Sequence, residues 1–362
     1  MEDSLASIPE ADVKLMTSTL ETLDFKVFSF VNISKSEIYA TIQILTSFIN
    51  SIGTGVYVMF CYFGHGFEES KKCYLVPSDA VKGYGSADCV CADDILEEIE
   101  TNTNTALIVM ALDTCRTSNP STRRRQDESC FGMLNGDEKP RRRGHTVVLY
   151  STSKGMSAFQ DRQHGLLAKS FNQRIQQNSD VTDVMKEVLS DMRIEMSQHN
   201  KEQIPQFTST LNEKRSFRDS VSGGEELSNV FQKWQNVFEP PPTRNLFVPG
   251  ANLKMKVEFH LKTLNTMYIL ITIDKTKEFD DIDLTELVVS LHHTGQIRSD
   301  DERIERNIHT FEIKDIQKLE EDLCIKLSIQ NKRLSLHYGV IEMNLKRPLI
   351  AALDTSIWKN RL

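Results

Sequence analysis

Two short motifs in the first third of the chain combine residue types that can carry out nucleophilic catalysis. His65 lies between two glycines, directly after the apolar run 56–63, and Cys115 follows the apolar run 106–112 fifty residues later. A cysteine thiol becomes a nucleophile when a nearby imidazole accepts its proton. Each residue alone has a structural alternative, namely a turn histidine and a thiol at a strand end. Together they predict a catalytic His–Cys dyad, provided that the fold brings them to one place.

The surrounding sequence predicts elements that can do so. Both apolar runs are continuous, which is typical of strands covered on both faces, and further strands are predicted over 24–32 and 145–152. Apolar residues recur at helical spacing over four ranges: 36–52, 92–102, 165–177 and 181–197. Alternating strands and helices predict a mostly parallel α/β sheet. Because the carboxyl ends of parallel strands meet at one edge, we expect His65 and Cys115 there.

A different pattern begins after Arg218. The stretch 219–248 holds a glycine pair, a helical pattern around Trp234 and three consecutive prolines, which predicts a linker with one packed helix. Six short strands without intervening helices follow: 253–262, 267–275, 284–293, 309–315, 324–331 and 337–346. They predict a β-sandwich. The expected domains are therefore 1–218, the linker 219–248, and 249–362.

Charge and cysteine usage argue against several classes of protein. The net charge of −8 disfavours a nucleic-acid surface, because phosphate contacts need a basic field. Seven cysteines without a repeating pattern, and no signal peptide, indicate reduced thiols in an intracellular protein. The apolar runs are too short to span a bilayer. The pair Cys89 and Cys91 is a weak zinc signal, which we interpret as free thiols, and no metal or cofactor is expected.

Four motifs carry a resemblance to a known family: YFGHGFEES, CYLVPSDA (73–80), LDTCR (112–116) and KRPLIAALD (346–354). They resemble the MALT-type paracaspases of animal immune signalling, from about residue 8 to the end of the chain. The fifty-residue spacing from histidine to cysteine also matches caspases. The resemblance implies a caspase-like α/β domain followed by an immunoglobulin-like sandwich. It further implies a cysteine endopeptidase that cleaves after arginine in NF-kappa-B-type signalling.

The resemblance assigns roles to particular residues of the catalytic centre. It makes His65 the proton acceptor and later donor, and Cys115 the thiolate nucleophile. The backbone N–H groups of Gly66 and Cys115 are expected to form the oxyanion hole.

The resemblance also implies an acidic pocket for the P1 arginine, formed here by Asp12, Asp113 and Gln160. A buried guanidinium needs such counter-charges. Gln160 replaces a glutamate of the family and supplies no charge, so we expect weaker arginine selectivity unless the adjacent Asp161 turns into the pocket. Without the resemblance, Asp113 would be interpreted as a strand-end cap and Asp12 as a helix-face carboxylate.

One departure from the family concerns the start of the sheet. Family members have a central strand before the helix near residues 8–16, whereas only seven residues precede that helix here. Loss of a central strand would leave unpaired backbone groups in the core. We therefore expect that the chain is a fragment or alternative form, or that another segment fills the gap.

Partners and location follow from the resemblance. It implies protein substrates with a P1 arginine, a homodimer formed through the protease domain, a CARD-containing adaptor, and ubiquitin on the sandwich. Trp234 corresponds to a tryptophan that couples the protease to the following domain. No nucleic acid and no membrane is expected as a partner, and the expected location is cytoplasmic, with the nucleus left open.

Other functions stay open at this point. The main alternative is a weakly active or inactive scaffold that binds partners through the same fold. An aspartate-directed caspase is disfavoured because its pocket needs basic residues where Asp12 and Asp113 stand. A metacaspase is disfavoured because no calcium site is indicated. The arginine triplets 123–125 and 141–143 predict either a solvated loop with its own cleavage sites or a nuclear-localisation signal.

Overall fold

The computed structural model of the chain describes most of its residues in two compact units. The described ranges are 2–118, 144–158, 163–198, 203–220, 229–230, 239–248, 253–275, 283–293, 297–299, 303–305 and 307–345. Residues Phe28–Val31 belong with the C-terminal strands, and the other described residues before position 228 form the first unit.

The first unit has helices on both faces of a four-stranded sheet. Its helices are α1 (Glu2–Glu21), α2 (Lys35–Ile52), α3 (Ala92–Asn102), α4 (Leu166–Arg174) and α5 (Val181–Gln198). Its strands are β1 (Tyr57–Phe63), β2 (Gly66–Glu69), β3 (Lys72–Leu75), β4 (Val90–Cys91), β5 (Leu107–Asp113), β6 (Thr146–Tyr150) and β7 (Gln206–Ser209). The sheet has the order β1-β5-β6-β7, in which the first three strands are parallel and β7 is antiparallel. The predicted mostly parallel sheet flanked by helices is confirmed.

The continuous apolar run of β5 is explained by burial on both faces. All seven residues of the strand are buried. Because successive side chains point to opposite faces, Leu107, Val109 and Ala111 pack with residues of α1, α4 and α5. Their neighbours Ile108, Met110 and Leu112 pack with residues of α2 and α3. A strand of this kind fixes its own register firmly.

The strand that the family resemblance places in the centre is absent from the described residues. β1 pairs with β5 along its whole length, from Tyr57 opposite Leu107 to Phe63 opposite Asp113. The backbone groups of β5 therefore have partners on both sides, from β1 and β6. β1 is an edge strand of this sheet, and no second strand pairs with it among the described residues.

The prediction of a strand over 24–32 is wrong. These residues form no strand, although their side chains alternate between polar and apolar. Phe28 and Phe30 pack against the core of the second unit. There the side-chain amide of Asn265 accepts a hydrogen bond from the Val31 N–H at 3.1 Å and donates one to the Val31 carbonyl oxygen at 2.8 Å. The alternation thus reflects two anchored aromatic rings in an extended segment.

A small sheet of β2, β3 and β4 follows the GHG motif and was not predicted. Gly66 to Glu69 pair with Leu75 to Lys72 in antiparallel register, and β4 pairs with β3. These strands have two to four residues, and such short strands show no recognisable alternation in the sequence.

The second unit consists of antiparallel strands in two sheets. The strands are β8 (Arg244–Val248), β9 (Leu253–Thr263), β10 (Thr266–Lys275), β11 (Leu287–His293), β12 (Arg298–Ser299), β13 (Arg303–Glu305), β14 (Ile308–Lys314), β15 (Leu323–Asn331) and β16 (Leu336–Leu345). One sheet has the order β12-β14-β10-β9-β8, with β13 also on β14, and the other has the order β11-β15-β16. Buried side chains of both sheets form one hydrophobic core. The expected all-β, immunoglobulin-like sandwich is confirmed, and the six predicted strands correspond to β9, β10, β11, β14, β15 and β16.

Within the described part of the chain, no helix has the length and apolar character needed to cross a membrane.

Replacement of a buried side chain in β5 should destabilise the first unit. We expect Ile108→Ala to lower the free energy of unfolding by about 2–5 kcal/mol, because the side chain is fully buried and a cavity remains. Thermal denaturation followed by near-ultraviolet circular dichroism measures the change. The matched control is Ile204→Ala, at a side chain that is 53% exposed, with an expected effect within about 0.5 kcal/mol. Equal effects of the two substitutions would contradict the described burial.

Candidate active site

The GHG turn and the end of β5 lie next to each other at one edge of the sheet. The last paired residues are Phe63 and Asp113, and the Gly64 N–H donates to the Asp113 carbonyl oxygen at 3.1 Å. His65 is exposed and Cys115 is half-buried. The carbonyl oxygen of His65 accepts bonds from the Val76 N–H (3.0 Å) and the Tyr62 hydroxyl (2.9 Å), which fix the backbone of the turn. The structure therefore brings the two predicted dyad residues to the same edge.

Gly66 is in close contact with the residue that precedes the cysteine. A Cβ atom on Gly66 would overlap the Thr114 Oγ1 and would lie 2.7 Å from the Tyr74 carbonyl oxygen. Only glycine fits at this position, because one of the obstructing atoms is fixed backbone. The second glycine of the GHG motif thus allows the histidine turn and the cysteine segment to approach each other. The backbones of Gly66 and Cys115, expected to form the oxyanion hole, lie on these two adjoining segments.

Beyond the sheet, a buried ion pair holds the same two segments together. The Arg116 guanidinium contacts the Glu68 carboxylate at 2.8 Å, with side chains 10% and 5% exposed. The Lys154 ammonium group binds the other oxygen of Glu68 at 2.9 Å. The backbone of Glu68 also donates to the Thr117 carbonyl oxygen at 3.0 Å. Since a buried ion pair is strongly destabilised when one partner is lost, this pair restrains the segment that follows Cys115.

The two acidic residues predicted for the P1 pocket converge on one glycine. Asp12 in α1 and Asp113 at the end of β5 are 1% and 4% exposed. Gly165, the N-cap residue of α4, donates its N–H to both oxygens of Asp12, at 3.1 and 3.0 Å. A Cβ atom on Gly165 would overlap an oxygen of Asp113 and would lie 3.0 Å from an oxygen of Asp12. The two carboxylates therefore flank the same Cα atom.

The environment of Asp113 favours its neutral form. Burial is the main cause that raises the pKa of its carboxyl group to about 7, and the nearby Asp12 carboxylate is a second, smaller cause. The Ser151 hydroxyl acts in the opposite direction. The Ser151 hydroxyl is near enough to lower the pKa, but by distance and angle neither oxygen of Asp113 forms a hydrogen bond with a described residue. A cation placed beside this acid would favour its ionised form, because an opposite charge offsets the cost of burying a carboxylate.

His164 joins this acidic cluster, although no sequence motif marks it. Its Nδ1 lies 2.9 Å from an oxygen of Asp12, and its side chain is 28% exposed. A lone histidine before a predicted helix carries no motif. The only available signal was its position next to Gly165, at the start of α4.

The other described cysteines of the first unit are unsuited to catalysis. Burial raises the pKa of Cys61 and Cys73 to about 12 and that of Cys89 to about 11. These thiols stay protonated at neutral pH and are poor nucleophiles. Cys73, Cys89 and Cys91 are free thiols. Within the described ranges, no group of three metal-ligating side chains could hold a metal ion.

Several residues singled out in the sequence lie outside the described residues. These are Gln160 and Asp161 of the pocket, Trp234 of the linker, the arginine triplets 123–125 and 141–143, and the motif 346–354.

Comparisons with known proteins agree with the motifs. The family model of the caspase domain matches residues 6–216. The mucosa-associated lymphoid tissue lymphoma translocation protein 1 of Homo sapiens is 26% identical over 371 residues, and its homolog in Mus musculus is 26% identical over 373 residues. Each alignment covers 96% of this chain but 43% of the relative, so the chain spans less than half the length of these relatives. These similarities confirm the resemblance to MALT-type paracaspases.

Among solved structures, the crystal structure of caspase-1 from Spodoptera frugiperda is similar, with a TM-score of 0.44 and 16% sequence identity. The match covers 59% of this chain and 82% of that chain.

The close approach at Gly66 can be tested by adding one methyl group. We expect Gly66→Ala to destabilise the first unit by about 1–3 kcal/mol, because the Cβ overlaps Thr114 and the Tyr74 carbonyl. The change is measured by thermal denaturation. Gly85→Ala is the matched control: its φ of −118° suits alanine, and no atom lies within 4 Å of the added Cβ. A Gly66→Ala variant as stable as Gly85→Ala would show that the two segments are further apart than described.

Proposed function

Because the chain belongs to the caspase-domain family, we propose that it is a cysteine endopeptidase of the paracaspase type, which cleaves protein substrates after arginine. The observation that carries this proposal is the direct pairing of β1 with β5. It supports a shared site for His65 and Cys115 at the edge where both strands end. The acidic pair Asp12 and Asp113 supports the arginine preference.

In the proposed reaction, the imidazole of His65 accepts the proton of the Cys115 thiol. The thiolate then attacks the carbonyl carbon of the scissile peptide bond, and the carbonyl oxygen becomes an oxyanion. The backbone N–H groups of Gly66 and Cys115 stabilise that charge. When the C–N bond breaks, His65 donates the proton to the departing amine, and a thioester with Cys115 remains. Water, deprotonated by His65, hydrolyses the thioester and restores the free thiol.

The proposed P1 pocket uses both buried acids. A guanidinium group has five N–H donors in a planar fork and can bind two carboxylates at once. Asp12 already accepts two bonds from Gly165, whereas the oxygens of Asp113 lack hydrogen-bond partners within the described structure. Asp113 thus offers the arginine two unsatisfied acceptors, and Gln160 completes the pocket in this proposal with an uncharged amide.

The alternative function is a signalling scaffold with little or no activity. The burial of Asp12 and Asp113 favours it, because neither acid is open to a substrate side chain in this conformation. The two functions differ in whether the pocket opens to a cationic peptide.

For the cellular setting, we extend the proposal to partners that the family resemblance implies. They are a second copy of the protease domain, a CARD-containing adaptor, and ubiquitin on the sandwich unit. Trp234 in the linker 219–248 would couple the two domains. The proposed setting is NF-kappa-B-type signalling in the cytoplasm.

A panel of fluorogenic peptides that differ only at P1 tests the activity. We expect cleavage after arginine, weaker cleavage after lysine and none after aspartate. Cys115→Ala should reduce the arginine rate by at least about 10³-fold, because the nucleophile is lost. Cys324→Ala, which removes a half-buried thiol of the second unit, is the matched control and should leave the rate unchanged. If a folded, dimeric sample cleaves none of the peptides, the scaffold function is the correct one.

The raised pKa of Asp113 gives the pocket a distinct pH dependence. Below about pH 7 this acid is neutral, so the affinity for a cationic P1 side chain should fall by up to about tenfold per pH unit. Binding of an arginine peptide to Cys115→Ala, measured by calorimetry from pH 5.5 to 8.5, reports this effect without turnover of the peptide. Asp113→Asn should bind more weakly and remove most of the pH dependence.

The pH dependence of the free energy of unfolding is an independent test of the raised pKa of Asp113. The native pKa of Asp113 is above its ordinary value of 3.8, so its contribution to stability is present below pH 3.8 and is lost as the pH rises to about 7. Asp113→Asn should therefore be more stable than the unsubstituted chain at pH 8, by up to about 4 kcal/mol. Lower stability of Asp113→Asn at pH 8 would refute the buried, unpaired carboxylate.

A further inference from the structure

The acidic pocket contains a histidine whose contact competes with the proposed ligand. His164 Nδ1 lies 2.9 Å from Asp12 Oδ1, the oxygen that also accepts the 3.1 Å bond from Gly165 N–H. The imidazole therefore donates to the same carboxylate that a P1 guanidinium is proposed to bind. Nothing in the proposed reaction uses this contact.

His164 is the solvent-accessible member of the cluster, because the two acids are buried. Asp12 is 1% exposed and Asp113 is 4% exposed, whereas the His164 side chain is 28% exposed. A side chain that arrives from solvent cannot contact Asp12 unless a neighbouring group moves. The imidazole is the part of the cluster that already contacts solvent, and it lies before α4, outside the sheet.

The backbone around His164 allows that movement. His164 precedes Gly165, the N-cap residue of α4, whose φ of −67° and ψ of 145° are extended. His164 therefore lies outside α4. Asp12 keeps its position without the imidazole, because the Gly165 N–H donates to both carboxylate oxygens.

From these observations we propose that His164 is a specificity-determining residue of the P1 pocket: its imidazole occupies Asp12 in the unliganded chain, and a P1 guanidinium replaces it there. This inference rests on the proposed function, since it concerns the same pocket. The exchange sets how strongly the pocket prefers a cation. Arginine gains an ion pair with Asp12 only at the loss of the His164 contact, so removal of the imidazole should increase the preference for arginine over a neutral side chain of the same shape.

Binding of two peptides that differ by one charge tests the exchange. The peptides carry arginine or its neutral isostere citrulline at P1, and binding is measured by calorimetry on the full chain with Cys115→Ala. We expect His164→Ala to bind the arginine peptide about fivefold more tightly, the size expected for a partly exposed ion pair. Affinity for the citrulline peptide should not change.

His164→Asn is the matched variant, because its side-chain amide can place an N–H near the position of the imidazole Nδ1. It should behave as the unsubstituted pocket does. If His164→Ala leaves the arginine affinity unchanged or weakens it while arginine is still preferred to citrulline, His164 does not compete for Asp12 and this inference fails alone. If arginine is not preferred to citrulline in any variant, the proposed arginine pocket fails as well.

Imidazole resonances give a readout that does not depend on the folding of a variant. In ¹⁵N-labelled chain with Cys115→Ala, saturation with the arginine peptide should shift the ring nitrogens of His164, because the Nδ1–H bond to Asp12 is lost. Saturation with the citrulline peptide should shift them less. Ring resonances of His164 that stay unchanged while arginine binds would overturn the exchange.

Discussion

The parallel pairing of β1 with β5 is the constraint on which the candidate active site depends. The two strands form seven residue pairs, the last of which is Phe63 with Asp113. The segments that follow stay adjacent through three contacts: Gly64 with Asp113, Gly66 with Thr114, and Glu68 with Thr117. The register of β5 is itself fixed by burial on both faces, since a slip of one residue would turn every side chain to the opposite face. Core packing therefore determines where the histidine turn meets the cysteine.

Much of this arrangement could be predicted because burial leaves a simple pattern in the sequence. The run 106–112 differs by one residue from the strand Leu107–Asp113, and the helix predicted over 92–102 has the observed bounds. The convergence of His65 and Cys115 follows from parallel topology, and that of Asp12 and Asp113 was available only through the family resemblance. No local rule connects a helix near the start of the chain with a strand one hundred residues later.

The features that were predicted wrongly or missed also have physical explanations. Residues 24–32 alternate as a strand does, but two of their aromatic rings are partly buried against the core of the second unit, and a tertiary contact of this kind overrides local pattern. The small sheet of β2 to β4 is too short for any period to appear. His164 was missed because its significance depends on Asp12, which is 152 positions away in the chain.

Glu68 and Asp113, two acids at the same edge of the sheet, have opposite electrostatic environments, and the contrast bears on function. Glu68 is buried and paired with two cations, the buried Arg116 and the exposed Lys154, as expected of a structural carboxylate, since an unpaired buried charge is costly. Asp113 is equally buried, but its oxygens meet no hydrogen-bond geometry among the described residues, and the charged group that shifts its pKa is another acid, Asp12. The fold could stabilise Asp113 as it stabilises Glu68. That it holds two carboxylates against one glycine instead is the arrangement expected of a pocket whose cation arrives with the ligand.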